Sequence, residues 1–208
     1  MFKNSIMYFS DKKEVEEVRN LLKEYNQAVK NEDKNNAYGL EGKIITSMKE
    51  RIQSRYLMVV KKCLEMRDDN WGFTIMSINC ILIELYYQLD NGVDDSRDFN
   101  EGNVEDAFRQ TIPRLAEEFN QETGSQFYKD IRCKLIHQAQ TNTNVAISLE
   151  TPEMIYPYEP EYTIYNPQRF FEEITKLYDE LFDKALIENN EMIKRNIINK
   201  VRCIAYKK

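Results

Sequence analysis

Apolar residues recur through most of this chain at intervals of three and four positions, which is the spacing of side chains on one face of an α-helix. The first stripe predicts a helix over residues 11–30 that begins after Ser10, because serine is favoured at helix N-termini. Its apolar positions are Val15, Val18, Leu22 and Tyr25. After the polar run NEDKNN, a longer stripe predicts a second amphipathic helix over about residues 40–66.

The next segment, residues 71–89, is apolar on nearly every side and is therefore predicted to be the central helix of a bundle. The polar residues 68–70 end the preceding helix and cap this one. Its strongly apolar part, residues 75–89, is shorter than the roughly 20 residues that a bilayer-spanning helix needs, and it contains Glu84. We therefore expect no membrane partner.

Loops and shorter helices are predicted for the middle of the chain. A turn-rich loop over residues 91–102 precedes a helix over residues 104–119, in which Pro113 is expected to cause a kink or a break. Another helix follows from about residue 125. Glycine and proline are scarce overall, at six and five residues, which favours long helices.

The last third of the chain combines extended segments with two further helices. Residues 145–149 and 162–165 are β-type runs that either pair as a small hairpin or lie as extended segments. Asn166 and Pro167 open a helix that reaches about residue 189, and the basic tail adds another. The predicted class is therefore all-α, a helical bundle with a short extended insertion.

The 208 residues show no break in composition, which predicts a single domain. Within it, residues 1–66 supply N-terminal helices, residues 71–190 the core of the bundle, and residues 191–208 a basic C-terminal tail. The first residues carry no apolar run typical of an export signal. We therefore expect a cytoplasmic protein.

The net charge of −6 is unfavourable for a protein that binds a polyanion, so any contact with RNA must be local. The best candidate surface is the C-terminal segment, where basic residues outnumber acidic ones. These basic residues are Lys194, Arg195, Lys200, Arg202, Lys207 and Lys208. A solvated helical tail would explain the same residues equally well.

Cysteine and histidine usage excludes several classes of function. The four cysteines lie far apart with no C-x-x-C pair, and there is one histidine, so neither a zinc site nor a disulfide framework is expected. No glycine-rich nucleotide motif and no hydrolase G-x-S-x-G motif is present. We therefore predict no metal and no cofactor.

The one histidine lies in the run FYKDIRCKLIHQAQT, five positions after Arg132. On a regular helix five positions turn through about 140°, so Arg132 and His137 do not share a face. They converge only where the helix loosens near its end, or where a second copy supplies the partner side chain. Alternatively, Arg132 pairs with a carboxylate such as Glu84, and His137 forms a hydrogen bond near a helix end.

Glu84 is a further candidate residue, because a carboxylate in an apolar helix must be paired or protonated. Arg132 is its natural partner if the two helices are adjacent. Such a pair is either architectural or orients the arginine for catalysis. Lys134, His137, Gln138 and Thr141 share the polar face of the predicted helix.

The sequence R-C-K-L-I-H, within an all-α chain that has an apolar central helix, resembles the HEPN superfamily and its motif R-x(4-6)-H. The resemblance covers about residues 71–186. It implies a homodimer that cleaves RNA without metal, with Arg132 holding the scissile phosphate and His137 transferring protons. The expected product is a 2′,3′-cyclic phosphate, and the implied role is that of a toxin or phage-defence protein, with an antitoxin or another protein as a possible partner.

One position departs from the pattern of many active members of the superfamily. Those members have a polar residue directly after the arginine, where this chain has Cys133, and a thiol is a weak hydrogen-bonding group. Two alternatives to a nuclease therefore stand. One is a non-catalytic HEPN-like module that dimerises or binds a ligand or partner. The other is an unrelated helical adaptor, which requires that Arg132 and His137 do not meet.

Overall fold

The computed structural model describes residues 2–3, 6–66, 69–95 and 103–206. The prediction of an all-α bundle with a short extended insertion is confirmed in its mainly helical character, and the insertion forms a small sheet. The helices are α1 (Val15–Lys30), α2 (Lys34–Ile52), α3 (Met58–Glu65), α4 (Gly72–Asn91), α5 (Val104–Thr111), α6 (Gln121–Phe127), α7 (Cys133–Gln138), α8 (Pro167–Leu186) and α9 (Glu191–Tyr206). The strands are β1 (Phe2–Lys3), β2 (Ile6–Met7), β3 (Val145–Ile147), β4 (Ile155–Glu159) and β5 (Tyr162–Tyr165).

The first helix begins later than its apolar stripe predicts. Ser10 accepts hydrogen bonds from the backbone N–H groups of Lys12 and Lys13, so its hydroxyl closes a turn before the helix. Helix α1 is instead capped by Glu14, whose side chain and that of Glu17 form a reciprocal capping box. Its stripe is buried at Val15, Val18 and Leu22, as the spacing predicts.

The second helix begins earlier than predicted, at Lys34, because Asp33 accepts a 3.2 Å hydrogen bond from the backbone of Asn36. The polar run NEDKNN therefore follows the last residue of α1 directly and contains the start of α2. A π-helical turn, Gln53–Leu57, continues α2 directly into α3. The predicted long helix is thus continuous but carries a wide turn in its middle.

The central apolar segment forms α4, preceded by a 3₁₀ turn at Asp69–Trp71. Of the predicted break at residues 68–70, residue 68 lies outside the described residues, as do residues 96–102 of the predicted loop. Among the described helices, α4 alone is long and apolar enough to cross a membrane, and 56% of its most apolar window is buried within the protein. Burial of this kind is typical of a core helix. The cytoplasmic location stays a prediction.

Pro113 breaks the helix predicted over residues 104–119. Helix α5 ends at Thr111, and Ile112–Arg114 forms a 3₁₀ turn that accommodates the proline, which has no N–H to donate. Thr111 and Ile112 are buried at this point. The chain then turns and begins α6, which carries the start of the segment around Arg132.

The extended insertion forms a three-stranded sheet in the order β3-β5-β4. The two predicted runs form β3 and β5, which pair with each other in parallel. Between them in the chain lies β4, a strand that the sequence does not predict, and it pairs antiparallel with β5. Strand β4 contains Pro157 and lies at the edge of the sheet, where a residue without an N–H is tolerated. A hairpin of the two runs alone is therefore wrong.

The chain divides into two compact units. The first comprises Met1–Met58, Gln88–Asp94 and Glu180–Lys208, and the second comprises Val59–Tyr87 and Asp95–Asp179. In the first unit, α9 packs on α1 and α2. The expected basic tail is therefore a packed helix whose buried residues are Ile193, Lys194, Asn196, Ile197, Ile198, Val201 and Ala205. Whether the whole chain is one domain stays a prediction.

The core of the second unit is an aromatic cluster centred on Phe127, the last residue of α6. The Phe127 ring lies 5.7 Å from Phe108 in α5, 5.7 Å from Tyr165 in β5 and 5.0 Å from Phe170 in α8, between ring centroids. Such aromatic contacts add favourable geometry to the burial of large apolar surfaces. The cluster therefore fixes the helix that leads into Arg132.

We expect Gly124→Ala to lower the free energy of unfolding by about 1–3 kcal/mol, because a methyl group there overpacks the contact between α6 and α5. The added Cβ would lie 2.5 Å from the carbonyl oxygen of Phe108, which is backbone and cannot rotate away. Urea unfolding followed by circular dichroism measures the change.

Gly39→Ala is the matched control. Gly39 also lies in a helix, but its Cβ would meet nothing within 4 Å. Alanine should stabilise that helix by up to about 1 kcal/mol, since glycine is the poorer helix former. Equal stability of the two variants would show that the α5–α6 contact does not require glycine.

Candidate functional site

The segment with Arg132 and His137 is one helix interrupted by a wide turn. Helix α6 starts at Gln121, earlier than predicted, because Asn120 and Thr123 form a capping box. A π-helical turn, Tyr128–Arg132, joins α6 to α7, and the backbone N–H of Cys133 bonds to the carbonyl of Tyr128. The loosened turn thus ends at the arginine. Turns of this type are frequent at functional sites.

Arg132 forms an ion pair with Glu84 of α4. The Arg132 Nε atom donates to Glu84 Oε1 at 2.9 Å, and the two side chains are 15% and 20% exposed. Because Glu84 takes the Nε hydrogen, the two terminal nitrogens of the guanidinium remain for other contacts. The geometry allows both the architectural and the orienting function of this pair.

Arg132 also reaches the histidine of its own chain. Its Nη1 atom lies 3.4 Å from His137 Nε2, although the intervening residues are α-helical. A guanidinium can only donate, so a hydrogen bond here requires the lone pair of Nε2 and places the imidazole proton on Nδ1. His137 is exposed. The unrelated helical adaptor required that these residues not meet, and that condition is not fulfilled.

Tyr128 borders the same guanidinium, and its only signal in the sequence is its place four residues before Arg132. The Arg132 Cζ atom lies 6.0 Å from the centre of the Tyr128 ring, which in turn packs 5.5 Å from Phe108. Burial and a hydrogen bond with the Cys133 side chain raise the pKa of Tyr128 to about 12. The phenol is therefore neutral at ordinary pH.

The electrostatic balance keeps Arg132 charged. Burial acts to lower the pKa of Arg132, but the hydrogen bond and the charge of Glu84 outweigh it, and the pKa of Arg132 is raised. One turn earlier on α4, burial and the charge of Glu84 raise the pKa of the Cys80 thiol. Cys80 therefore stays protonated and inert, whereas Cys133 is half-buried beside Tyr128.

Asp130 fixes the loop that follows His137. Its buried carboxylate accepts hydrogen bonds from Gln126 Nε2 at 2.8 Å and Asn142 Nδ2 at 2.9 Å. The backbone N–H of Asn142 also bonds to the Asp130 carbonyl at 3.1 Å. These contacts hold the chain after α7 against the π-helical turn. The sequence signal was weak, namely an acid beside Ile131 on the apolar side of the helix.

Lys134 and Gln138, the other predicted supporting residues, both lie on α7. Lys134 is half-buried, and Gln138 is exposed and accepts a 3.2 Å hydrogen bond from Gln140. Within the described part of the chain, neither forms a hydrogen bond with Arg132 or His137. The structure therefore brings together Glu84, Arg132 and His137, with Tyr128 and Cys133 beside them.

Four of the six basic residues predicted to contact RNA lie among the described residues of the first compact unit, and their environments differ. The Lys194 side chain is 4% exposed and pairs with Glu41 at 2.6 Å and Glu191 at 2.8 Å, so its charge is neutralised inside the unit. Lys200 bonds to the carbonyl oxygen of Asp94. The remaining two residues, Arg195 and Arg202, lie along a surface cavity. Lys207 and Lys208 lie outside the described residues.

No group of three or more histidine, cysteine, aspartate or glutamate side chains among residues 6–66, 69–95 and 103–206 is placed to hold a metal ion. The ionisable side chains that meet at the site are a guanidinium, an imidazole and a carboxylate. Such a set can bind an anion and transfer a proton.

We expect Tyr128→Phe to reduce the loss of stability at alkaline pH. The pKa of Tyr128 is raised in the folded state to about 12. Its contribution to stability is therefore complete below the unfolded pKa of about 10 and is lost as the pH rises towards about 12. Between these values the free energy of unfolding of the wild type should fall more steeply than that of the variant, measured by urea unfolding.

Tyr158→Phe serves as the control, because the Tyr158 side chain is 62% exposed. The other tyrosines are common to all three proteins and cancel in the comparison. Parallel pH profiles for the wild type and Tyr128→Phe would contradict the assigned environment of Tyr128.

Comparison of the chain with protein-family models, with curated proteins and with solved structures finds no match. Its function must therefore be inferred from the arrangement of Glu84, Arg132 and His137.

Proposed function

We propose that this chain is a metal-independent RNA endonuclease of HEPN type, a cytoplasmic toxin or phage-defence protein that acts as a homodimer. The observation that carries the proposal is the 3.4 Å distance between Arg132 Nη1 and His137 Nε2, with Arg132 Nε bound to Glu84. A charged group that binds phosphate and a group that transfers protons therefore lie side by side. No metal is needed for their chemistry.

In the proposed reaction, the terminal nitrogens of Arg132 bind the oxygens of the scissile phosphate. Glu84 holds the Nε side of the same guanidinium, which fixes its plane and limits the freedom that is lost on binding. Charge that develops on the phosphoryl oxygens in the transition state is then stabilised by a preorganised cation. Cleavage by this route requires no movement of Arg132 away from Glu84.

His137 supplies the proton transfer. The ribose 2′-OH attacks phosphorus, its proton passes to the lone pair of an imidazole, and the bond from phosphorus to the 5′ oxygen breaks. The departing oxygen takes a proton from a second acid. The products are a 2′,3′-cyclic phosphate and a 5′-OH, and DNA is not cleaved because it has no 2′-OH.

A homodimer would provide the second acid, because each chain has one histidine. Exposed apolar side chains near Arg132 and His137 provide a surface on which a second copy of the chain can pack. Ile81, 42% exposed, lies one turn before Glu84 on α4, and Ile136, 46% exposed, lies one turn after Arg132. Covering this surface with a second copy would remove apolar area from water beside the reacting groups.

We expect His137→Ala to reduce RNA cleavage by at least about 100-fold while the protein stays folded and dimeric, since general acid–base catalysis contributes factors of this size. Total RNA is incubated with each protein in EDTA, and the products are analysed for 2′,3′-cyclic phosphate ends. Gln140→Ala, a change at a nearby exposed position with no assigned role in the site, is the control and should cleave like the wild type. Undiminished cleavage by His137→Ala would refute the assignment of His137.

The ion pair also favours a second candidate function, a non-catalytic module that dimerises or binds a ligand or protein partner. Glu84 neutralises the charge of Arg132, which weakens its attraction for phosphate in an already acidic chain. The Cys133 thiol beside the pair forms only weak hydrogen bonds with a polar substrate. In such a module the pair would hold α4 against the segment from Tyr128 to His137.

A double variant distinguishes the two functions. Removing Arg132 alone would leave Glu84 without its partner, so both are changed together, to Arg132→Gln with Glu84→Gln, which lets two neutral amides meet. The nuclease proposal expects a stable dimer whose cleavage is reduced by at least about 100-fold. Sedimentation velocity reports the dimer. A wild type that cleaves nothing, together with a double variant that no longer associates, would favour the module.

A further inference from the structure

A cavity of about 590 Å³ opens on the first compact unit, between α1 and α9. Its volume falls within the range of sites that bind small molecules, roughly 300–1,000 Å³. It is lined on one side by the arginines Arg195 and Arg202 and includes the aromatic ring of Tyr25. The proposed nuclease mechanism uses none of these residues.

The arginines of this cavity differ from Lys194 in their charge balance. Lys194 is neutralised by two carboxylates, Glu41 and Glu191. Arg202 is instead held by two neutral groups, because its Nη1 donates to Asn199 Oδ1 at 3.0 Å and its Nη2 to Asn26 Oδ1 at 3.2 Å. The amides orient the guanidinium without cancelling its charge.

Arg195 adds a second positive charge on the same helix. It is exposed, and within the part of the chain that the structure describes it has no ion pair. Arg195 and Arg202 are seven residues apart, which places them on one face of α9, two turns from each other. Two guanidiniums that both line the cavity attract an anion.

The two amides that hold Arg202 have a defined orientation. Since a guanidinium can only donate, the oxygens of Asn26 and Asn199 must face Arg202, and their NH₂ groups point elsewhere. Both asparagines line the cavity. The two guanidiniums therefore present positive charge and N–H donors to the cavity, which match a phosphoryl group rich in acceptor oxygens.

Two carboxylates, Glu41 and Glu191, also line the cavity, and both are paired with Lys194. The rest of the lining is mainly apolar. Val29 and Met192 are 54% and 56% exposed, and the buried Ile198 lies on the same face of α9 as Arg195 and Arg202. The hydroxyl of Tyr25 donates to Glu41 at 3.3 Å, which holds the ring in place. Burial and the charge of Glu41 raise the pKa of Tyr25, so the ring stays neutral. A planar aromatic group packs well against such a surface.

We propose that this cavity binds a nucleoside phosphate, with the phosphoryl group on Arg195 and Arg202 and the base against Tyr25, Val29 and Met192. The ligand is either a free nucleotide or the phosphorylated end of an RNA strand, since both present the same chemistry. The cavity does not depend on the nuclease assignment of Arg132 and His137.

The test is a calorimetric titration of the His137→Ala protein with two probes, adenosine 5′-monophosphate and a 5′-phosphorylated RNA oligonucleotide. Using this variant separates binding at the cavity from any cleavage. At least one probe should bind, and Arg195→Ala and Arg202→Gln should each weaken its binding by about tenfold or more, as expected for a charge-assisted hydrogen bond. Arg169→Ala, at a 47% exposed arginine of the second unit, should change nothing.

The result with the two probes also identifies the ligand. Binding of the nucleotide assigns a free nucleotide to the cavity, and binding of the oligonucleotide alone assigns an RNA end. The proposal is overturned if neither probe binds, if both arginine variants bind as tightly as their parent, or if inorganic phosphate binds as tightly as the nucleotide. Circular dichroism confirms that each variant is folded.

Discussion

The ion pair between Glu84 and Arg132 joins the most apolar helix of the chain to the segment that carries its one histidine. A carboxylate on α4 cannot be buried without a partner, and a guanidinium in the segment from Tyr128 to His137 has the same requirement. Each charge therefore offsets the cost of removing its partner from water. The pair fixes where Arg132 points, and the contact of Arg132 with His137 depends on that direction.

Two features beside the pair give the site its shape. The aromatic cluster around Phe127 holds α6 against its neighbours, and the π-helical turn then carries the chain into α7. The buried Asp130, within that turn, binds the loop after α7 through Asn142. Packing thus fixes the segment before Arg132, and hydrogen bonds fix the loop after His137. The reactive side chains lie between two restrained regions of backbone.

Although the chain is acidic overall, parts of its surface carry positive charge. In the first unit, carboxylates surround Lys194, whereas neutral amides hold Arg202, so neighbouring cations on α9 differ in the charge they offer a ligand. In the second unit, Arg132 carries its own counter-charge. Net charge therefore says little about anion binding here, because partners within a few ångströms decide how much of each charge is available.

The sequence by itself determined the helical class, the apolar stripe of α1, the apolar helix α4, the break at Pro113 and the pairing of Glu84 with a cation. Periodicity, composition and the cost of burying a charge are local properties. Tertiary structure decided the rest. The π-helical turn, the strand β4, the capping of α1 by Glu14 and the burial of Lys194 each depend on contacts between distant segments or on competition between nearby caps, which one stretch of residues does not encode.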